Sequence, residues 1–556
     1  MKISAPCSAS PPRSLPRLKG SILTFGLCGL VLAVSAAPSP GERERTAAAE
    51  LAMDMLDAAR SALVLGWTDE AASYADGAIG AQPLFSDALY LRAVLAMQRG
   101  EAAYLVQEWL ERSLAADSFS RYSREGAELL LARVFVRVKR PAEALALLKG
   151  KHRDAELLYT EFMARRALGE HCAARASVGE SLRRDPHDPR PLLGWLLLSS
   201  PDAADAGDAR LAARAFASLE LLKETEPLLL PALAPYASND DEARLLVREY
   251  RAYGRTHPLA SILAYELGIS DSARAIPELL AQGGNADARL VSRLYLALPD
   301  DTARAAMERA LAGYSGTVSL DEDGDGIAEA LTSYGGGLIR SWRYDRDQDG
   351  RPELLVSFAN GEPKSAVLRT GAALVELRFE RWPYVSSARV AELSRSRTYH
   401  FGPASFAYPA LSIAAVGEGS KLPFLVRPLA ADLPRERAMA SMAYRLDENE
   451  GSLDRTVLLL DGIPSRSWWL DVYGASGDIS YDRGQPRREL LDLDGDGRYE
   501  ARKLWYASAD GSVSQAYVET DLDGDGLYEY RESLGSPRMR SWDMDGDGAA
   551  DMVVHE

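Results

Sequence analysis

Residues 319–353 read SLDEDGDGIAEALTSYGGGLIRSWRYDRDQDGRPE and contain one nine-residue pattern twice. The pattern D-x-D-x-D-G-x-x-[DE] occupies 321–329 and again 345–353, and alternating apolar residues with a triple glycine separate the two copies. Such alternation, interrupted by glycine, is typical of two strands joined by a tight turn. The stretch therefore predicts a β-hairpin with an acidic loop on either side of it.

The same acidic pattern returns three times near the end of the chain, at 492–500, 521–529 and 543–551. We call the five copies loops one to five in chain order. The spacers between them also alternate, and Asp510-Gly511 and Gly535-Ser536-Pro537 are the predicted reversals. Hairpins of this kind would place the acidic loops at one end of a meander and the glycine turns at the other.

Calcium chemistry explains the spacing within each loop. Ca²⁺ takes six to eight oxygen ligands at about 2.3–2.6 Å, and alternate residues of a tight loop can point carboxylates at one centre. The glycine at position six permits the turn, and position seven supplies a backbone carbonyl. One such string is also typical of an ordinary surface turn, but five copies with one spacing favour Ca²⁺. The predicted ligands of up to five Ca²⁺ ions are Asp321, Asp323, Asp325, Ile327, Glu329, Asp345, Asp347, Asp349, Arg351, Glu353, Asp492, Asp494, Asp496, Arg498, Glu500, Asp521, Asp523, Asp525, Leu527, Glu529, Asp543, Asp545, Asp547, Ala549 and Asp551.

These strings resemble the calcium loops of EF-hands, dockerins, thrombospondin type 3 repeats and integrin-type propellers. The twelfth position of an EF-hand loop carries a bidentate Glu. Here that position holds Thr332, Val356, Lys503, Glu532 and Val554, so four of the five copies lack it. The closing carboxylate stands at position nine instead, and we predict hairpin loops rather than helix–loop–helix hands.

The N-terminal half has a helical repeat. Gly66, Ala71, Ala78 and Pro83 recur at the same offsets as Gly169, Ala174, Ser181 and Pro186, 103 residues later. That distance is three periods of about 34 residues, and the stretch is similar to tetratricopeptide repeats, most clearly over 50–190. The resemblance implies paired helices whose stacked array binds a protein partner; a plain α-solenoid is the alternative.

The predicted fold class is therefore α+β and multidomain. An N-terminal all-α, tetratricopeptide-like solenoid covers 37–314, and a mainly antiparallel β domain of hairpins with calcium-binding loops covers 315–556. Residues 361–445 carry no acidic loop, so they are either an insert or the middle of one β domain.

Residues 1–36 read as a signal peptide, with four basic and no acidic residues, an apolar stretch over 21–33 and small residues at 34–36. An uncleaved membrane anchor and a lipid anchor at Cys28 are the alternatives. We expect an extracytoplasmic protein, periplasmic, secreted or on the cell surface, with no transmembrane segment after cleavage. Cleavage leaves Cys172 as the single cysteine, which we predict to be a buried structural thiol; a reactive or intermolecular cysteine is the alternative.

Charge and motifs limit the function. The net charge of −17 argues against a nucleic-acid partner, whose phosphates need cationic neutralisation. None of the six histidines has zinc-ligand spacing, and no phosphate-binding or nucleophile motif stands out, so we predict no enzymatic activity. We expect an exported calcium-binding scaffold. A glycan- or cell-wall-binding module, using a row of tryptophans, is the alternative, and a glycan hydrolase acting through 361–445 is a further one.

Overall fold

The computed structural model describes residues 40–199, 206–281, 285–370, 373–429, 436–507, 513–534 and 537–556. The predicted signal peptide, with Cys28, lies outside the described residues. So does the predicted Asp510-Gly511 turn, as well as Gly535 and Ser536. Within the described ranges, no helix combines the length and the apolar character that crossing a membrane requires.

The first part of the chain is helical, apart from the short strand β1. The helices are α1 Pro40–Val64, α2 Thr68–Ala81, α3 Ser86–Gln98, α4 Ala103–Ala116, α5 Arg124–Arg137, α6 Pro141–Leu148, α7 Ala155–Ala167, α8 His171–Arg184, α9 Arg190–Leu198, α10 Ala206–Leu222, α11 Leu229–Leu233, α12 Asp240–Ala252, α13 Pro258–Glu266, α14 Ser272–Leu280, α15 Ala288–Ala297 and α16 Asp301–Ala312.

The second part is mainly strand, with one further helix, α17 Glu436–Met442. The strands are β1 Asn285–Asp287, β2 Gly316–Leu320, β3 Ala330–Gly335, β4 Leu338–Tyr344, β5 Leu354–Ala359, β6 Glu362–Thr370, β7 Ala373–Arg381, β8 Tyr384–Glu392, β9 Arg395–Phe401, β10 Leu411–Ala415, β11 Pro423–Pro428, β12 Ala443–Asn449, β13 Leu453–Leu460, β14 Ile463–Asp471, β15 Ser476–Asp482, β16 Gln485–Asp492, β17 Ala501–Ala507, β18 Val513–Thr520, β19 Tyr530–Ser533, β20 Met539–Trp542 and β21 Met552–His555.

The predicted helical repeat is confirmed. Gly66 lies two residues after the end of α1 with φ of +78°, and Gly169 lies two residues after the end of α7 with φ of +74°, conformations that favour glycine. The small residues that follow at fixed offsets are fully buried, as Ala71 and Ala78 show. They let the paired helices α1/α2 and α7/α8 approach closely, which is the tetratricopeptide-like arrangement.

The chain forms two compact units. Among the described residues, the first comprises those from 40 to 255 together with 325–327 and 347–351, and the second comprises those within 256–324, 328–346 and 352–556. Helices α13 to α16 therefore belong to the second unit, where they pack on the first strands of the sheet around Trp342 and Leu377, both of which are fully buried. The change from helix to strand, between Ala312 and Gly316, lies inside this unit.

The strands of the second unit form one long meander. Strand β1 pairs in parallel with β2. From β2 to β9, and again from β12 to β21, each strand pairs antiparallel with the next one along the chain. Strand β9 pairs antiparallel with β12, and β10 and β11 form a separate small sheet. Because 362–401 supplies four strands of the main sheet, 361–445 is the middle of one β domain rather than an insert.

Strand direction assigns the connections to two edges of the sheet. Strands β2, β4, β16, β18 and β20 run the same way, so the loops that follow them, loops one to five, share one edge, which we call the loop edge. At the opposite or turn edge, Asn360-Gly361, Asp461-Gly462 and Arg483-Gly484 have positive φ at both residues, as two-residue hairpins require. The predicted separation of acidic loops from glycine turns is confirmed.

The C-terminal part of the sheet has little apolar core. Among the described residues of β13 to β21, the buried apolar side chains are Val457, Ile479, Leu491 and Ala501. Polar contacts between strands take their place. The indole Nε1 of Trp469 and the ammonium of Lys503 donate to the buried carboxylate of Glu489, at 2.7 and 3.2 Å.

The prediction for Cys172 is wrong, because its thiol is exposed. Helix α8 buries Ala174, Val178 and Ser181, and a residue two positions before Ala174 lies about 200° around the helix from it. Cys172 therefore faces away from the packed side.

Candidate metal-binding loops

Loop three shows how the sequence folds locally. The carboxylate of Asp492 accepts the backbone N–H groups of Gly495 and Gly497, at 2.7 and 3.0 Å. The closing carboxylate of Glu500 accepts the N–H of Leu493 at 2.7 Å. These bonds bend the backbone around the side chains and fix the first and ninth positions on the same side of the turn.

Loops four and five repeat this network. Asp521 and Asp543 each accept the N–H groups of the glycines at positions four and six, at 2.7–2.9 Å. Those glycines have φ between +71° and +94°, where an L side chain is strained. Loop two is different at position four, where Gln348 has φ of +57° instead of a glycine.

The carboxylates converge fully in three loops and partly in two. In loops one, three and four, one oxygen from each of the four predicted carboxylates lies within 4.8 Å of the others. In loop two the group consists of Asp345, Asp347 and Glu353, and in loop five of Asp543, Asp545 and Asp551. The carboxylates of Asp349 and Asp547 lie outside their groups.

The residues at position seven bond to their own loops. The N–H groups of Ile327, Arg351, Arg498, Leu527 and Ala549 each donate to the Asp two positions earlier, at 2.5–2.8 Å. In loop one the carbonyl of Ile327 also accepts from Gln348 Nε2 at 3.0 Å.

The twelfth position is not part of the loops. Thr332, Val356, Lys503, Glu532 and Val554 lie in strands β3, β5, β17, β19 and β21. The one carboxylate among them, that of Glu532, is bonded to Arg540 at 3.3 Å and also contacts Arg538. The prediction of hairpin loops in place of EF-hands is therefore confirmed.

The ammonium of Lys139 and the phenol of Tyr344 contact carboxylates of loop one. Lys139 donates to Asp325 at 2.5 Å, and both residues belong to the first compact unit. Burial, and next the charge of Glu322, raise the pKa of Tyr344 to about 12. Its hydroxyl lies 3.4 Å from the Glu322 carboxylate. The sequence does not predict the contact of Lys139, because Lys139 and Asp325 are 186 residues apart along the chain. It does not predict the contact between Tyr344 and Glu322 either.

Consecutive loops are joined by their backbones. The backbone N–H of Asp521, the first residue of loop four, donates to the carbonyl of Glu500 in loop three at 2.7 Å. In the same way the N–H of Asp543 in loop five donates to the carbonyl of Glu529 in loop four at 2.8 Å. Loops one and two are joined in the same way, by Asp345 and Glu329, at 2.9 Å. Neighbouring loops are two strands apart, which is about 10 Å.

The tryptophans do not form one row. Following the strand pairing, Trp342 and Trp542 lie on one face of the sheet and Trp468 lies on the other. Trp342 is also fully buried and stacks on Tyr344 with ring centroids 5.7 Å apart. A stacked sugar chain could not contact all three tryptophans at once.

No protein-family model matches the chain, and no curated protein sequence matches it. Solved structures of helical-repeat proteins are similar to part of it. MamA from Desulfovibrio magneticus RS-1 is 15% identical and covers 32% of this chain and 96% of its own, with a TM-score of 0.27. PilW, described as a type IV pilus biogenesis factor, is 16% identical over 38% of this chain and 98% of its own, with a TM-score of 0.32.

A tetratricopeptide repeat protein from Parabacteroides merdae ATCC 43184 is 11% identical over 47% of this chain and 98% of its own, with a TM-score of 0.33. Scores of this size carry no argument about what the chain binds or where it acts.

Proposed function

We propose that the chain is an exported, calcium-binding scaffold protein. Its helical repeats bind a protein partner, and Ca²⁺ in the acidic loops stabilises the hairpin sheet. The observation that carries the calcium proposal is the convergence of carboxylate oxygens within 4.8 Å in loops that all lie at one edge of the sheet. Export is supported by the basic, apolar and small-residue pattern of residues 2–36.

The donor set fits Ca²⁺. Ligands at about 2.3–2.6 Å from one ion lie at most about 5 Å from each other, which the clustered oxygens satisfy. Two carboxylates at this separation repel each other by roughly 1 kcal/mol in water. Four in one loop therefore oppose the folded turn, and a bound divalent cation would supply the charge that reverses this repulsion.

The loops differ in what they offer a cation. Loops three and four bring four carboxylates together, whereas loops two and five bring three. In loop one the ammonium of Lys139 already contacts Asp325 and would compete with a metal ion. We expect loops three and four to bind Ca²⁺ most tightly, with affinities of about 10⁻⁴–10⁻³ M sufficient outside the cytoplasm.

A cleft of about 350 Å³ beside α6 and α7 supports partner binding by the helices. It is lined by Leu145, Leu148, Lys149, Gly150, Arg153, Leu157, Glu161 and Arg165. The buried carboxylate of Glu161 holds Arg153 and Arg165 at 2.9 and 2.7 Å, so the cleft has charged walls around an apolar floor. Such a site suits one anchoring side chain of a protein partner.

The experiment is a pull-down from an envelope extract with wild-type protein, Lys149→Glu and the matched control Arg183→Glu. Both residues are exposed and basic, but Arg183 does not line the cleft. We expect the same protein to be captured by wild type and the control and lost with Lys149→Glu. Equal capture by both variants would assign the binding to another surface, and no reproducible capture would contradict the scaffold proposal.

A further inference from the structure

A row of exposed apolar side chains runs along the loop edge between β14 and β21. It consists of Val472, Tyr473, Leu493, Leu522, Leu527 and Met544, whose exposed fractions range from 49% to 90%. They come from the β14–β15 turn and from loops three, four and five, all within the second compact unit. We call this set the apolar row.

The four connections that carry the row are adjacent. A Cβ on Gly495 of loop three would lie 3.0 Å from the carbonyl oxygen of Gly474 in the preceding turn. A Cβ on Gly546 of loop five would lie 3.1 Å from Leu527 Cδ1 of loop four. Together with the backbone bonds between loops, these contacts place four connections side by side at intervals of about 10 Å. The row therefore spans about 30 Å.

The loops do not need these apolar side chains. Position two contributes its backbone N–H to the closing carboxylate, whichever side chain it carries. Loops one and two have Glu322 and Arg346 there, whereas loops three, four and five have Leu493, Leu522 and Met544. Because loops one and two form the same turn with charged residues at position two, the fold does not require Leu493, Leu522 and Met544 to be apolar. Their exposure to water is unfavourable, so another role has to explain it.

We propose that the apolar row is a docking surface for a cationic amphipathic segment of a protein partner. Twelve carboxylates from loops three to five flank the row, and with one Ca²⁺ in each loop the net charge is still negative. This charge repels anionic membranes and attracts Lys and Arg side chains. A length of about 30 Å matches a helix of about twenty residues.

This surface goes beyond the proposed function, which assigns partner binding to the helical repeats, and it does not depend on calcium loading. The probe is a fluorescent peptide of about twenty Leu and Lys residues that presents Leu on one helix face. A scrambled peptide of identical composition is its control. Binding to the full chain is measured by fluorescence anisotropy in chelator and in CaCl₂.

The variant Leu493→Ser/Leu522→Ser/Met544→Ser removes three members of the row. The matched control Leu460→Ser/Ile463→Ser/Tyr506→Ser removes three apolar side chains of similar exposure that lie at or near the turn edge. We expect the Kd of the amphipathic peptide to rise at least about tenfold in the first variant and to stay unchanged in the control. Because all six side chains are exposed, both variants should keep the fold. The control also loses the ring contact between Tyr506 and Tyr517, so far-UV circular dichroism compares both variants with wild type before binding is measured.

Equal peptide binding by the two variants would overturn the proposal, as would equal binding of the scrambled peptide. Wild-type binding to phosphatidylserine vesicles that is lost in the first variant would make a membrane the occupant and would also overturn it. Peptide binding in chelator as well as in CaCl₂ would support the docking surface even if the chain bound no calcium, so the two proposals fail separately.

Discussion

At the scale of single residues, position nine decides whether the acidic loops are hairpin calcium sites. In loop four Glu529 closes the loop by accepting the N–H of Leu522 at 2.7 Å, whereas Glu532 at position twelve lies in β19. The two carboxylates are three residues apart, and only that of Glu529 belongs to the clustered group of loop four.

We predict that Glu529→Gln lowers the Ca²⁺ affinity of loop four at least about tenfold, because it removes one of four charged ligands. The matched variant Glu532→Gln should leave that affinity unchanged. Calcium titration followed by isothermal calorimetry measures both. The opposite result, with Glu532→Gln weakening the site, would assign the loop to the EF-hand type.

In the first compact unit, which we call the helical unit, Asp87 organises the chain between α4 and α5. Its carboxylate is fully buried and accepts the N–H groups of Ser120, Arg121 and Tyr122 and the hydroxyl of Ser120, at 2.7–3.0 Å. Four donors satisfy the charge without a cationic partner. The segment 118–122 is thereby held against the start of α3.

We predict that Asp87→Ala lowers the free energy of unfolding of the helical unit by about 3 kcal/mol, since it removes four partly buried hydrogen bonds to one charged group. Asp154→Ala, which removes a single N-cap bond to Leu157, should cost about 1 kcal/mol. Urea unfolding monitored by far-UV circular dichroism compares them. Equal losses in the two variants would show that the network around Asp87 contributes nothing beyond one bond.

At the scale of elements, the last strands of the second compact unit, which we call the β unit, are held by pairs of polar side chains more than by a core. Glu489 connects β14, β16 and β17 through Trp469 and Lys503. Glu519 connects β17, β18 and β19, because its carboxylate accepts from Arg502 and lies 3.5 Å from Arg531. Both carboxylates are buried, whereas their cationic partners Arg502, Lys503 and Arg531 are partly exposed.

We predict that Glu489→Ala destabilises the β unit by about 2 kcal/mol, because the Lys503 ammonium and the Trp469 N–H lose their acceptor. The control is Asp482→Ala, which breaks an exposed pair with Arg487 and should cost less than about 0.5 kcal/mol. Thermal unfolding measures the difference. A loss at Glu489 no larger than that at Asp482 would contradict the account.

Buried phenols make the β unit sensitive to high pH. Burial raises the pKa of Tyr344 to about 12 and also raises the pKa values of Tyr334 and Tyr399. Below pH 10 these phenols are neutral in both the folded and the unfolded chain. Between pH 10 and 12 the unfolded chain ionises Tyr344 while the folded chain keeps its proton, so stability falls as the pH rises.

We therefore expect the urea midpoint of the β unit to fall above pH 10, and to fall less steeply in Tyr344→Phe. Tyr473→Phe, which removes a 90% exposed phenol, is the matched control and should keep the wild-type slope. Identical slopes in all three proteins would show that burial of Tyr344 does not oppose its ionisation.

At the scale of the whole molecule, the sequence predicts local geometry better than it predicts which parts pack together. The five loops and their shared edge follow from spacing and alternation, since both are properties of neighbouring residues. The assignment of α13–α16 to the second unit does not follow, because helical periodicity continues unchanged past Arg255. Nor does the pairing of β9 with β12, whose partners are separated by more than forty residues.

Side-chain convergence within the loops was also only partly predictable. Asp349 and Asp547 match the pattern as well as their counterparts do, yet their carboxylates lie outside the clustered groups. The contact between Lys139 and Asp325 depends on tertiary folding, and no local signal in the sequence indicates it.

The central claim is that Ca²⁺ in the loops stabilises the hairpin sheet, and thermal unfolding of the full chain tests it most directly. Circular dichroism at the strand band would be recorded in chelator and then in CaCl₂ up to about 10 mM, with MgCl₂ as the reference cation. The account predicts that the melting temperature of the β unit rises with Ca²⁺ concentration, because each site that binds only the folded state adds stability. It predicts a smaller rise with MgCl₂ and with Glu529→Gln. An unchanged melting temperature between chelator and CaCl₂ would contradict it.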